Sequence, residues 1–227
     1  MNCVQIFVAP DYVLIEDSIK TKFIDACKKW LSEFYRDTPK SSSSYGRIVT
    51  DKHLERLRAY IENAKELNAT IEVGGNVDAS EKYIEPTIIS DLKKKATVLE
   101  EEIFGPILPI VTYKTIEEAI DYVNSKERPL ALYIYSKDKS NTKKIINTTR
   151  AGGTCINNNI IQYANHYLPF GGVNNSGIGK SHGVFGFEAF SNKRAVIKQH
   201  TFGVTELLFP PYSSIKETLA RLTIKWF

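Results

Sequence analysis

The stretch Ile107-Leu-Pro-Ile-Val-Thr-Tyr-Lys-Thr-Ile-Glu-Glu118 decides the fold class. Its opening, Ile107–Thr112, is apolar and rich in β-branched residues, which suits a buried, pleated strand. It runs into Thr115-Ile-Glu-Glu118, a capping-box pattern in which a hydroxyl and a carboxylate satisfy the free amides of a helix start, so a helix is predicted over Ile116–Asn124. The same order recurs downstream. Leu130–Ser136 reads as strand, Asp138–Thr149 as helix, and Gly152-Gly153 punctuates before a strand at Thr154–Asn157. Strands that alternate with helices of this length need right-handed crossovers, so the expected architecture is α/β: a mainly parallel sheet with helices on both faces.

Toward the amino terminus, Tyr12–Glu16 reads as a strand followed by Asp17 as a helix N-cap, and Ser18–Tyr35 places apolar residues at helical spacing. Arg36–Tyr45, with Pro39 and the serines 41–44, reads as a surface loop. A second amphipathic helix is expected over Asp51–Leu67, then strands at Thr70–Val73 and Pro86–Ser90. Toward the carboxyl terminus, Gly171, Gly172, Gly177, Gly179, Gly183 and Gly186 make an extended loop of tight backbone geometry. Ala195–His200 is expected as a late strand and Ile215–Phe227 as an amphipathic terminal helix. No internal repeat is found. The organisation read from this is a domain over 1–192, an oligomerisation strand and tail over 193–212, and the terminal helix over 213–227.

Composition narrows the functional classes. The 227 residues are 42% hydrophobic and 25% charged, the balance of an ordinary globular chain. A net charge of +4, well mixed along the chain, excludes a nucleic-acid footprint; Lys93–Lys95 is the one basic run. Cys3, Cys27 and Cys155 are odd in number and widely spaced, which argues against a disulfide framework or a zinc knuckle and for a reducing cytoplasm. No apolar stretch approaches the ~18 residues of a membrane span, and no secretion signal is read at the start.

The motifs are weighed in the same way. Gly179-Lys180-Ser181 looks like the end of a phosphate-binding loop, but Asn174 stands where its first glycine belongs, and the stretch lacks the early strand–helix context. His53, His166, His182 and His200 show no ligand spacing, so no metal is expected. Cys27 and Cys155 fall on predicted core faces. Glu100-Glu101-Glu102 reads alone as a solvated helix end, but the Ile103-Phe104-Gly105-Pro106 that follows can hold a carboxylate and a ring side by side at a strand end. The tail, with Ile215, Leu219, Leu222, Trp226 and Phe227 beside Lys216, Arg221 and Lys225, is expected to pack on its own or a partner subunit, with membrane contact as the alternative.

Taken together, several of these segments resemble one family. Val8-Ala-Pro-Asp-Tyr-Val-Leu14, Tyr83-Ile-Glu-Pro-Thr87, Glu101-Glu-Ile-Phe-Gly-Pro-Ile-Leu-Pro-Ile110, Arg128-Pro-Leu-Ala-Leu132, Leu168-Pro-Phe-Gly-Gly-Val173 and Asn175-Ser-Gly-Ile-Gly179 are similar, in collinear order, to the carboxy-terminal catalytic half of aldehyde dehydrogenases of the class 3, fatty-aldehyde branch. The resemblance implies NAD(P)-dependent oxidation of an aldehyde to a carboxylate, by thiol attack, hydride transfer and thioester hydrolysis. It implies that Glu102 holds the nicotinamide ribose hydroxyls, that Phe104 packs beside the nicotinamide, that Phe170 lines the aldehyde pocket and that His182 sits at its edge.

The nucleophile departs from the pattern. The family's N-x-G-Q-x-C-x-A-P-D-Y, laid on Asn2–Tyr12, puts Val4 at the glycine and Phe7 at the catalytic cysteine, and a benzyl group forms no thiohemiacetal. The resemblance also places the Rossmann domain, the general-base glutamate and the oxyanion asparagine before this region, so the chain is expected to lack them. Three readings follow: one half of a split enzyme that needs a separate amino-terminal partner, a non-catalytic binding or homodimerising remnant joined through Ala195–His200, or a membrane-peripheral module using the terminal helix.

Overall fold

The computed structural model describes residues 2–36, 38–200 and 209–226. They fall into two units, Met1–Phe190 and Ser191–Phe227.

In the first unit, strands β1 (Val13–Glu16), β2 (Thr70–Val73), β5 (Thr87–Ser90) and β6 (Ile107–Tyr113) make one sheet in the order β1-β6-β5-β2. β6 is parallel to both neighbours, pairing Val13 with Ile110 and Ile88 with Leu108, while β2 closes the edge antiparallel to β5. Helices α1 (Lys20–Tyr35) and α2 (Asp51–Glu66) account for its two cores. Because successive strand residues face opposite ways, Ile89 joins Leu54, Leu57, Tyr60 and Ile61 of α2, whereas its neighbour Ile88 joins Ile15, Ile110 and Ile24 of α1. Each such fully buried Ile or Leu contributes roughly 1.5–3 kcal/mol over leaving it in water. The α/β fold with a mainly parallel sheet flanked by helices is the one expected.

Its details differ in five places. The strand–helix units that revealed the fold do not share one ladder. Strand β6 passes to α3 (Ile116–Ser125), but β7 (Ala131–Ile134), α4 (Lys139–Thr148) and β8 (Gly153–Ile156) build a separate two-stranded parallel sheet. A short antiparallel pair, β3 (Val77–Asp78) with β4 (Tyr83–Ile84), has too few residues to show a period in sequence. Asp17 caps nothing: it opens a 3-10 turn over Asp17–Ile19, and α1 begins without a side-chain cap. The glycine-rich stretch is not loop throughout, since after α5 (Ile161–Ala164) the helix α6 (Gly183–Ala189) forms within it.

The fifth concerns the late strand. Ala195–His200 is not a strand among the described residues; Val196 and Ile197 are 74% and 94% exposed. A strand exists only where a second backbone supplies the other half of its ladder. The terminal helix is present as α7 (Ser214–Trp226), with Ile215, Leu222 and Trp226 exposed. Phe227, and residues 201–208 of the tail, lie outside the described residues.

Other signals hold. Thr50 and Thr115 accept the backbone N–H of His53 and Glu118 as N-caps, and Asp138 accepts from Ser140 and Asn141. The Glu118 carboxylate takes the Lys114 amide at 2.8 Å, one residue earlier than in an ideal capping box. No helix of the described residues is long and apolar enough to cross a membrane.

Candidate functional site

The segment before β1 is a tight loop with left-handed backbone at Asn2, Cys3 and Val4. Gln5, 7% exposed, holds it to the body: its amide donates to the carbonyls of Asn2 and Arg47, both at 3.0 Å, and its oxygen accepts from the Val49 amide at 3.1 Å. This turns Cys3 inward. Its thiol packs in the α2 core beside Gly46, and burial pushes it above the ordinary thiol range. Phe7 turns the other way. It is 74% exposed, and its ring meets that of Phe104 edge-on, with 5.6 Å between centroids. Of the other thiols, Cys155 is buried in β8 and Cys27 is half-buried on α1, also pushed up by burial. None of the three stands at the Phe7 position.

Glu102 and Phe104 are held by one face of α2. His53, Arg56 and Tyr60 lie one helical turn apart. The Arg56 guanidinium donates to the carbonyls of Glu102 at 2.8 Å and Ile103 at 2.7 Å, and to the Tyr60 hydroxyl at 2.6 Å. The His53 Nε2 lies 2.7 Å from the Phe104 carbonyl oxygen, which only accepts, so Nε2 carries the proton and Nδ1 takes the Arg56 N–H at 3.0 Å. Phe104 itself has φ 54°, a left-handed backbone that this clamp sustains. From the other side, Asp11 accepts the Ile103 amide at 2.9 Å. Its carboxyl is held above the ordinary carboxylate range by burial first, with Glu102 adding to it. Gly105 lets α2 approach: a Cβ there would fall 2.5 Å from the Leu57 side chain.

What this leaves exposed is the Glu102 carboxylate, which has no hydrogen-bond or ion-pair partner among the described residues, two positions from a half-buried aromatic ring. A carboxylate with free lone pairs accepts two vicinal hydroxyls, and a ring offers an apolar face. The pair therefore offers hydrogen-bond acceptors and an apolar face side by side.

The remaining expected residues form a second cluster. Phe170 and Ser181 exchange backbone hydrogen bonds at 3.1 and 2.7 Å, an isolated antiparallel bridge across the glycine loop. His182 stacks on Phe170 at 5.5 Å and 21°, while Tyr163 meets Phe170 edge-on at 5.0 Å and His166 lies 5.3 Å from His182. The buried His182 Nδ1 has no hydrogen-bond partner among the described residues. A relay joins the two clusters: Gln162 donates to the Tyr133 hydroxyl at 3.1 Å, and that hydroxyl donates to the Val8 carbonyl at 2.6 Å. No group of metal-ligating side chains occurs among the described residues.

The structure thus brings Phe7 to Phe104 and Phe170 to His182. Reading the sequence missed His53, Arg56, Tyr133 and Gln162. The helical spacing of His53, Arg56 and Tyr60 was a usable signal; nothing local announces Tyr133 or Gln162.

Comparison with known proteins bears on the family. A family model described as the aldehyde dehydrogenase family matches residues 2–196. The 4,4'-diaponeurosporen-aldehyde dehydrogenase of Staphylococcus aureus is 41% identical over 211 residues, covering 93% of this chain and 45% of that protein. The dimeric NADP-preferring aldehyde dehydrogenase of Rattus norvegicus is 43% identical over 197 residues, covering 87% and 42%. Among solved structures, the substrate-bound state of Staphylococcus aureus AldH superposes with a TM-score of 0.85 at 38% identity, over 96% of this chain and 47% of that one. A Staphylococcus aureus betaine aldehyde dehydrogenase in complex with NAD+ gives 0.71 at 27% identity, over 83% and 38%. The chain spans less than half the length of these relatives.

Proposed function

The chain belongs to the aldehyde dehydrogenase family, and from that premise we propose that it carries the carboxy-terminal catalytic half of a class 3 enzyme whose nucleophile position is chemically closed. In this reading Phe170 and His182 wall the aldehyde pocket, and Glu102 and Phe104 hold the nicotinamide ribose and ring of NAD(P). The bound cofactor would supply the hydride acceptor. At position 7 the chain presents a benzyl group, so no sulfur adds to the aldehyde carbon and no thioester forms.

The observation that carries this reading is the placement of the Phe7 ring against Phe104, with Cys3 turned into the core on the opposite side of the loop. For Cys3 to act, a buried thiol would have to exchange places with an exposed ring. Catalysis tolerates displacements near only ~1 Å.

The test mixes the full chain, with Phe7 or with Phe7→Cys, with the separately produced amino-terminal half of the rat relative, and follows aldehyde-dependent formation of reduced cofactor. Turnover only with cysteine is expected. Turnover with phenylalanine in place overturns the proposal. A second reading rests on the exposed Val196 and Ile197: pairing of Ala195–His200 with the same stretch of a second copy, giving a homodimer that binds without turning over. Sedimentation of the chain against an Ile197→Lys variant tests it, since a charge on an edge strand opposes pairing.

A further inference from the structure

Lys180 plays no part in the chemistry above, yet its ammonium is fully engaged. Nζ donates to the backbone carbonyl oxygens of Gly171 at 2.5 Å, Gly172 at 3.0 Å and Gly152 at 3.1 Å. An ammonium has three N–H donors, and all three are matched. It makes no ion pair with a carboxylate among the described residues. The oxygens come from two separate segments, the residue before β8 and the two residues after Phe170.

Glycine makes their convergence possible. A Cβ on Gly152 would lie 2.4 Å from the Gly171 oxygen, so that residue meets the loop only without a side chain, and one on Gly172 would lie 2.0 Å from the Ser176 oxygen, so the loop after Phe170 closes on itself only with glycine there. Carbonyl oxygens aimed at one point repel unless a cation stands between them, and a charge-assisted bond to each is the strong form of that contact. Lys180 also sits in the strand of chain that carries the pocket wall. Its neighbour Ser181 is bridged to Phe170 in both directions, and the next residue, His182, stacks on the Phe170 ring.

We propose that Lys180 is the positioning residue of the pocket wall: an internal cation that pins Gly171-Gly172 to Gly152 and so fixes where Phe170 and His182 stack. The assignment rests on the reading of those two rings as the aldehyde pocket for its functional meaning alone, because the test observes the stack itself. An unmoved His182 signal leaves the Phe7 proposal intact, and turnover by the Phe7 chain leaves this one intact.

The test follows the Cε1 proton of His182 by NMR in the full chain, with Phe170→Leu marking its position once the stacked ring is gone. In Lys180→Ala the resonance is expected to move toward the Phe170→Leu position. Propylammonium, which replaces the missing stem and charge, is expected to return it, while propanol and potassium chloride at equal concentration do not. Lys180→Met keeps the stem without the donors and is expected to show the same displacement, which covers the case in which the alanine variant fails to fold. A resonance that stays in place in folded Lys180→Met, or that propanol restores as well as propylammonium does, overturns the proposal.

Discussion

The Nε2–H of His53 donates to the carbonyl of Phe104 at 2.7 Å, and the Nδ1 of the same ring accepts from Arg56, so a neutral imidazole joins the helix α2 clamp to the ring beside Phe7. The residues that touch ligand in the proposed reading are thereby set by residues that do not. Glu102 and Phe104 occupy a segment whose backbone is held at three successive carbonyls, those of Glu102, Ile103 and Phe104.

Removing the guanidinium should therefore loosen that segment first. Arg56→Met is expected to destabilise the chain by about 2–3 kcal/mol, since it strands carbonyls that a charged donor satisfied. Arg56→Lys should recover little of this, because one ammonium cannot span the fork that reaches both carbonyls and Tyr60. Urea unfolding midpoints check the magnitude, and amide exchange at Ile103 and Phe104 checks the location. Equal stability of the lysine variant and the parent would refute the bidentate role.

Asp11 gives a pH-dependent prediction. Its folded carboxyl is held above the ordinary range, mainly by burial, so the favourable part of its titration is present below the unfolded carboxylate value and disappears as pH rises through the folded one. Asp11→Asn keeps an oxygen for the Ile103 amide and removes the buried charge. The variant is expected to be the more stable protein near neutral pH, with its advantage shrinking toward zero as pH falls through the carboxylate range. Urea midpoints of both proteins across that range measure it; an advantage that grows on acidification contradicts the assignment.

Val4 holds φ 63° where the family pattern has glycine. A left-handed backbone costs a side chain bearing a Cβ about 1–2 kcal/mol, and glycine escapes this at an entropic cost of roughly 0.5–1 kcal/mol. At this position Val4→Gly is expected to be more stable than Val4→Ala, which surrenders the side chain while keeping the strain. The order is the reverse of that at an extended position, and thermal unfolding of the pair decides it.

How far the fold was legible follows from the range of each signal. Ile107–Thr112 and Thr115–Glu118 announce themselves because a strand's composition and a cap's spacing are local, and both are found where expected. Which strands share a ladder is settled by contacts far apart in the chain, so the separation of β7–β8 from the main sheet was not readable. Asp17 failed as a cap because it is already the first residue of the 3-10 turn Asp17–Ile19, so Glu16 and Ile19, not Asp17, stand at the two helical boundaries. The site divides likewise. Phe7, Glu102, Phe104, Phe170 and His182 were visible through the family's motifs, whereas Tyr133 and Gln162 act over more than a hundred residues of chain separation, or through a partner's hydroxyl, and leave no local trace.

The isolation of β7–β8 has a consequence of its own. A two-stranded pair has little stability unaided, so beyond the internal clasp of Asn157 on Ser136 at 2.9 and 3.0 Å it draws on ties to other segments, the Tyr133 phenol on the Val8 carbonyl and Lys180 on the Gly152 carbonyl. One phenolic proton thus couples the far leaf of the molecule to the loop that carries position 7. Repairing the chemistry at that position would leave this dependence in place, and any sequence drift that weakens Tyr133 would loosen the β7–β8 pair and the loop that carries position 7 together.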